Sequence, residues 1–169
     1  MDTIEAIMTR RSIRQFTTDP VNDQIRITLL KAAMQAPSAN NLQPWQFVLI
    51  DRRDLLNKIT RFHPYASMLN HAPLAITVCG DSGIEKNTGY LALNCAAATE
   101  NILLTAHSIG LGAVWLGIFP REERMSKLKD LLKLPDPIIP VSLVAIGYPA
   151  EEKRVENRFR QDWIHINGW

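Results

Sequence analysis

Apolar positions along the chain switch between helical and strand spacing, with Pro, Gly and Asn marking most of the changes. Ile4, Ile7 and Met8 share a helical face behind Asp2, which predicts a short capped helix to about Thr9. An extended basic stretch, Arg10 to Phe16, follows. Pro20 and Asn22 open a second predicted helix, with Ile25, Leu29, Leu30, Ala33 and Met34 as its apolar stripe and Pro37 as its end. The loop from Pro37 to Pro44 leads into a strand over Trp45 to Ile50, and a polar helix is predicted from Arg53 to Thr60. Further strands are predicted over Leu74 to Cys79, Ala113 to Ile118 and Ile138 to Ile146. Pro120 is expected to start an amphipathic helix carrying Met125, Leu128, Leu131 and Leu132.

The helix expected from about Asn87 to Ser108 is apolar or small nearly all round and stops at Gly110. Such a helix must be buried on most sides. A domain this small has too few layers to do that alone, so part of the burial is expected from a second subunit. A polar tail from Glu151 to Trp169 is long enough to reach a neighbour. With no repeat or linker, the pattern gives a single α+β domain over residues 1–169, four strands or so wrapped by helices.

Composition narrows the function classes. The chain has 169 residues and a formal net charge of +2, too little to argue for a nucleic-acid partner. Cys79 and Cys95 fall in apolar stretches away from any His at ligand spacing, so they read as buried free thiols in a reducing compartment. The N-terminus lacks a basic region followed by an apolar run, so no secretory signal is expected. Only Glu100 is charged between Lys86 and Arg121, but Asn94, Asn101 and His107 make a membrane span a poor reading of that stretch. The expected location is the cytoplasm.

Four clusters could carry chemistry. In an extended segment Arg10, Ser12 and Arg14 share a face, two guanidiniums around a hydroxyl, which suits a phosphate. A solvated basic turn after a helix is the other reading. The loop Pro37-Ser38-Ala39-Asn40-Asn41-Leu42-Gln43-Pro44 offers amide and hydroxyl groups that could read a polar heterocycle, or merely cap a turn. Gly117, after Trp115 and Leu116, could let a ligand approach the backbone, or simply end a strand. Lys153, Arg154, Arg158 and Arg160 could complete an anion site or be a solvated tail.

No GxGxxG, P-loop, HExxH or CxxC is present, and the four histidines show no metal spacing. A chain without an evident acid, base or nucleophile fits chemistry supplied by a cofactor.

Together these residues resemble the nitroreductase family. Arg10-Arg11-Ser12-Ile13-Arg14-Gln15-Phe16 is similar to its opening RRSxRxF signature. Ala36-Pro37-Ser38-Ala39-Asn40-Asn41-Leu42-Gln43-Pro44-Trp45-Gln46-Phe47 is similar to its APSxxNxQPWxF loop. The order of the two motifs, the long apolar helix, the Trp115-Leu116-Gly117 strand and Gly147-Tyr148-Pro149 before a basic tail also match.

The resemblance implies a central antiparallel sheet flanked by helices, in an intertwined homodimer with a C-terminal extension that crosses to the partner and two FMN sites at the interface. It implies that Arg10 and Ser12, with Arg11 beside them, hold the FMN phosphate and ribityl chain, and that Arg14 approaches the pyrimidine edge. Pro37, Ser38, Ala39, Asn41 and Gln43 would come from the other subunit. The Leu116-Gly117 backbone would face flavin N5, and Arg154 with Lys153 would complete the phosphate site. The implied activity is NAD(P)H-driven reduction of nitroaromatics, quinones or similar flat electrophiles by ping-pong hydride transfer through FMN. The same scaffold also suits reductive dehalogenation, enoate-type reduction, or flavin binding without fast turnover. The stretch between Thr60 and Pro73 is short for the family, and Tyr65, Met68 and Asn70 are the candidates for covering the flavin face.

Overall fold

The computed structural model describes residues 1–169, and its helix ends follow the caps in the sequence. The Asp2 carboxylate accepts the Glu5 amide at 2.9 Å and opens α1 (Thr3–Thr9). Asn22 accepts the Ile25 amide at 2.9 Å and opens α2 (Asp23–Met34). Then come β1 (Trp45–Ile50), α3 (Arg53–Ile59), β2 (Leu74–Asp81), α4 (Thr88–Ser108), β3 (Gly112–Gly117), α5 (Glu122–Leu132) and β4 (Ile138–Gly147). The expected elements are all present, with ends moved by one or two residues. The last helix begins beyond Pro120, because Arg121 is the extended residue that precedes it.

The strands form one antiparallel sheet in the order β1-β2-β4-β3. Alternating side chains feed two cores. Leu74, Ile76 and Val78 face α2 and α4, and meet Leu29, Cys95 and Ile102. Ala75, Leu143 and Ala145 face the other way, onto Leu56 and Ile59 of α3 and Leu128 of α5. Each fully buried leucine contributes about 1.5–3 kcal/mol. Cys79 and Cys95 are buried free thiols, and loss of water pushes both up to about 12.

Two glycines let the basic segment cross the end of the sheet. Ser12 bridges Ala113 of β3, and Phe16 bridges Pro149 just past β4. A Cβ on Gly112 would stand 2.6 Å from Ile13 Cγ2, and one on Gly147 would stand 3.1 Å from Phe16 Cδ1. The segment therefore lies close to the backbone of the sheet.

Apolar surface remains uncovered in the single chain. On α1 Ile4, Ile7 and Met8 are exposed, and only Ala6 is buried. On α4 Tyr90 and Leu93 are exposed, while Ala97 and Leu104 at the next helical positions are half-buried. The tail is less polar than its sequence suggested: Val155, Phe159, Trp163, Ile164, Ile166 and Trp169 all stand exposed. No helix is long and apolar enough to cross a membrane.

Candidate functional site

β3 is an edge strand, and its free side organises the site. The Ile13 amide donates to the Ala113 carbonyl at 3.0 Å, so the backbone groups of Ala113 point away from β4. Alternation sends those of Trp115 and Gly117 the same way. The basic segment covers the edge only at Ala113, leaving the stretch to Gly117 open, about 13 Å at strand rise. Gly117 has no heavy atom within 4 Å of where a Cβ would stand, so a flat group can approach its backbone. Leu116 takes no part, contrary to expectation: its side chain is buried in the core, and by the same alternation its backbone groups turn toward β4.

A cavity of about 420 Å³ lies at the basic end, lined by Arg11, Ser12, Arg14, Lys153, Arg154, Glu156 and Arg158. Not all of these cations are free. Arg11 donates to the carbonyls of Met8, Arg10, Arg154 and Glu156, so it fastens the tail. Lys153 pairs with Glu151 at 2.6 Å, and Glu151 accepts the amides of Arg14 and Gln15 at 2.6 and 3.2 Å. The Lys153 bond, helped by those amides, holds the Glu151 carboxyl below the usual range. Arg14, Arg154 and Arg158 have no carboxylate partner.

Arg10 lies outside this cavity, 3.5 Å from Glu100 of α4. Strict alternation of Arg10, Ser12 and Arg14 on one face does not hold, because the segment bridges the sheet only at single residues and is not a continuous strand.

The Pro37–Pro44 loop is preformed but sits elsewhere. Asn40, Asn41 and Gln43 all have left-handed backbone, with φ of 52°, 55° and 49°. Asparagine tolerates this region; glutamine does so at a cost. The conformation is held by three bonds: the Gln43 amide to Ser38 Oγ at 3.0 Å, Gln43 Nε2 to Asn41 Oδ1 at 2.9 Å, and the Ala39 amide to Asn94 Oδ1 at 3.0 Å. Pro37 is exposed. The loop enters β1 at Trp45, opposite Gly80, on the far edge of the sheet from β3. Strand spacing and rise put it about 30 Å from Ser12. One chain does not bring the two motifs together.

Three side chains that sequence reasoning left without a role act at these two places. Asn94 holds the loop, and His63 and Arg124 both donate to the Gly117 carbonyl, at 3.1 and 2.8 Å. Their spacing in sequence carries no signal, because separate elements bring them together. Of the expected covering residues, Tyr65 is exposed beside Arg124, Met68 is buried in the second core, and Asn70 is exposed.

His63 is buried, and desolvation, with Arg124 nearby, holds its pKa below the ordinary 6.5. Its Nδ1 accepts the Tyr65 amide at 3.3 Å, so the proton belongs on Nε2. The unfolded chain therefore binds a proton at a higher pH than the native one. Stability from this group is complete above about pH 7 and is lost as pH falls through 6.5 toward the folded value. The urea midpoint is expected to fall between pH 7.5 and 5.5, and less steeply in His63→Asn; equal slopes would contradict this.

The sequence profile of the "Nitroreductase family" matches residues 7–63 and 61–148. A relative from Methanothermobacter thermautotrophicus, named "Putative NADH dehydrogenase/NAD(P)H nitroreductase", is 44% identical over 169 residues, covering 100% of this chain and 88% of its own length. A crystal structure of a protein of the same name from Parabacteroides distasonis superposes with a TM-score of 0.95 at 37% identity, over 99% of this chain and 98% of that one. An "FMN-dependent Nitroreductase" from Clostridium difficile superposes at 0.90 with 29% identity, over 98% and 99% of the two chains.

Proposed function

Because the chain belongs to the nitroreductase family, we propose that it is an FMN-dependent oxidoreductase that takes electrons from NAD(P)H and works as a homodimer. The observation that carries this reading is the open edge of β3, with a cationic cavity at one end and the uncrowded Gly117, its amide turned to that edge, at the other. That donor set fits a phosphate joined to a flat heterocycle. Ser12, Arg154 and Arg158 would hold the phosphate, and Arg10 would join them by giving up Glu100. Arg11 and Lys153 keep the tail in place. The Gly117 amide would meet the ring edge.

The homodimer is supported by the separated motifs and by the uncovered apolar faces of α1 and α4. A second copy can bring Pro37, Ser38, Ala39, Asn41 and Gln43 to the edge where Gly117 lies. The exposed apolar residues of the tail suit a strap across that partner.

Bound FMN supplies two-electron hydride chemistry, received from NAD(P)H and passed to a nitroaromatic, a quinone or another flat acceptor. The chain would orient the ring and exclude water at the seam, and the unpaired Arg14 cation at the cavity would favour negative charge on the reduced ring. Freshly purified protein should be yellow and oxidise NAD(P)H steadily with such acceptors; a colourless protein that ignores added FMN would sink the reading. Arg14→Ala is expected to make the flavin potential more negative, because a cation beside the reduced ring is lost. Arg10→Ala should weaken FMN retention by ~1.5 kcal/mol, the scale of a charge-assisted hydrogen bond. An unmoved potential and undiminished flavin after dialysis would refute these two roles.

A further inference from the structure

We propose that Arg124 and Tyr65 form the element that selects substrates, favouring flat acceptors with an anionic group, such as a carboxylate, over neutral ones of the same shape. The inference rests on the flavin reading and adds the charge class of the substrate.

It starts at the Gly117 carbonyl. The carbonyl points to the same open edge as the Gly117 amide, because both belong to one residue of a strand. Arg124 donates to it at 2.8 Å and His63 Nε2 at 3.1 Å, and a carbonyl has two lone pairs to receive them. His63 in turn accepts the Tyr65 amide. Neutral His63 therefore braces both the carbonyl and the backbone of Tyr65. The guanidinium is planted on the active edge and not left to wander as surface arginines do.

Arg124 has no carboxylate partner, although it is half-buried. Nearby charges offset it only in part, Glu123 being the carboxylate that feels it. Arg121, Glu122 and Glu123 share its hollow of about 380 Å³. Arg121 offsets Glu122 in formal charge. Glu123 is tied to Lys127 at 2.6 Å, which holds its carboxyl below the usual range. Arg121, Arg124 and Lys127 against Glu122 and Glu123 leave a surplus of one cation at the hollow. Arg124 sits 5.6 Å from the centre of the Tyr65 ring, which is 69% exposed. A guanidinium fork beside an exposed ring matches an aromatic acid: the carboxylate meets the fork and the ring lies against Tyr65.

The test compares benzoate with benzamide, read as the perturbation of flavin absorbance in the oxidised holoprotein, together with kcat/KM for 4-nitrobenzoate and 4-nitrobenzamide. The native protein should bind benzoate at least tenfold more tightly than benzamide at low salt, and should show the same preference in kcat/KM. Arg124→Gln should cut both ratios at least tenfold, and Arg124→Lys, which keeps the charge, should retain part of each. Flavin content and thermal melts confirm that each variant is folded. Equal binding of the two probes by native protein, or an unchanged ratio in Arg124→Gln, would overturn the proposal. A protein that takes up no FMN would overturn the flavin reading itself and this inference with it.

Discussion

Gly112→Val is expected to yield a protein with an intact core that loses its flavin. The first side-chain carbon would stand 2.6 Å from Ile13 Cγ2 and 2.8 Å from Ile13 Cβ. Ile13 cannot swing clear, because its Cβ is fixed to the backbone and its amide is bonded to the Ala113 carbonyl. Either β3 or the basic segment must move. The segment has only single-residue bridges to the sheet, so it is the weaker side. Overpacking of this kind costs about 1–3 kcal/mol. Ser12 and Arg14 flank Ile13, so the displacement reaches the cationic cavity directly. A lower urea midpoint should accompany at least a tenfold loss of FMN retained after dialysis. Native stability with native flavin content would show that the segment has room to spare.

Deleting residues 151–169 should have the larger effect on function and the smaller one on the core. None of the buried residues lies in this stretch, so the sheet and its helices should still fold. The deletion removes Arg154 and Arg158 from the cavity and Glu151 from the amides of Arg14 and Gln15. It also removes the tail's exposed apolar side chains, which suit a partner's surface. Light scattering should report a monomer, and the absorbance of bound flavin should vanish. A truncated protein that remains a yellow dimer would exclude the proposed strap.

Much of the fold was legible because its signals are local. The β1 ends fall where periodicity put them, and Asp2 and Asn22 cap helices as expected. The α4 helix could be seen to need burial on most sides, and its exposed Tyr90 and Leu93 mark the side its own chain leaves bare. The apolar character of the tail was missed because its large residues follow neither helical nor strand spacing and are diluted by charges.

The site was legible only in part. Arg14 and Ser12 were found by pattern, and the cavity brings them together with Arg154. The pattern did not foresee that Arg10 turns to Glu100 while Arg11 spends its donors on carbonyls, because a short unpaired segment does not keep strand alternation. His63 and Arg124 meet at Gly117 from a turn and a helix far apart in sequence. Such a convergence exists only after packing, so no spacing rule could reveal it.

The four carbonyl bonds of Arg11 bear on how two chains would come together. By gripping Arg154 and Glu156, the fork sets the direction in which the last residues leave the body of the chain. A flexible arm must surrender its freedom on docking, and that loss weakens association. An arm already aimed at its root has less to surrender. A lysine in place of Arg11 would offer a single point of attachment, and the arm would sweep a wide cone before finding its berth.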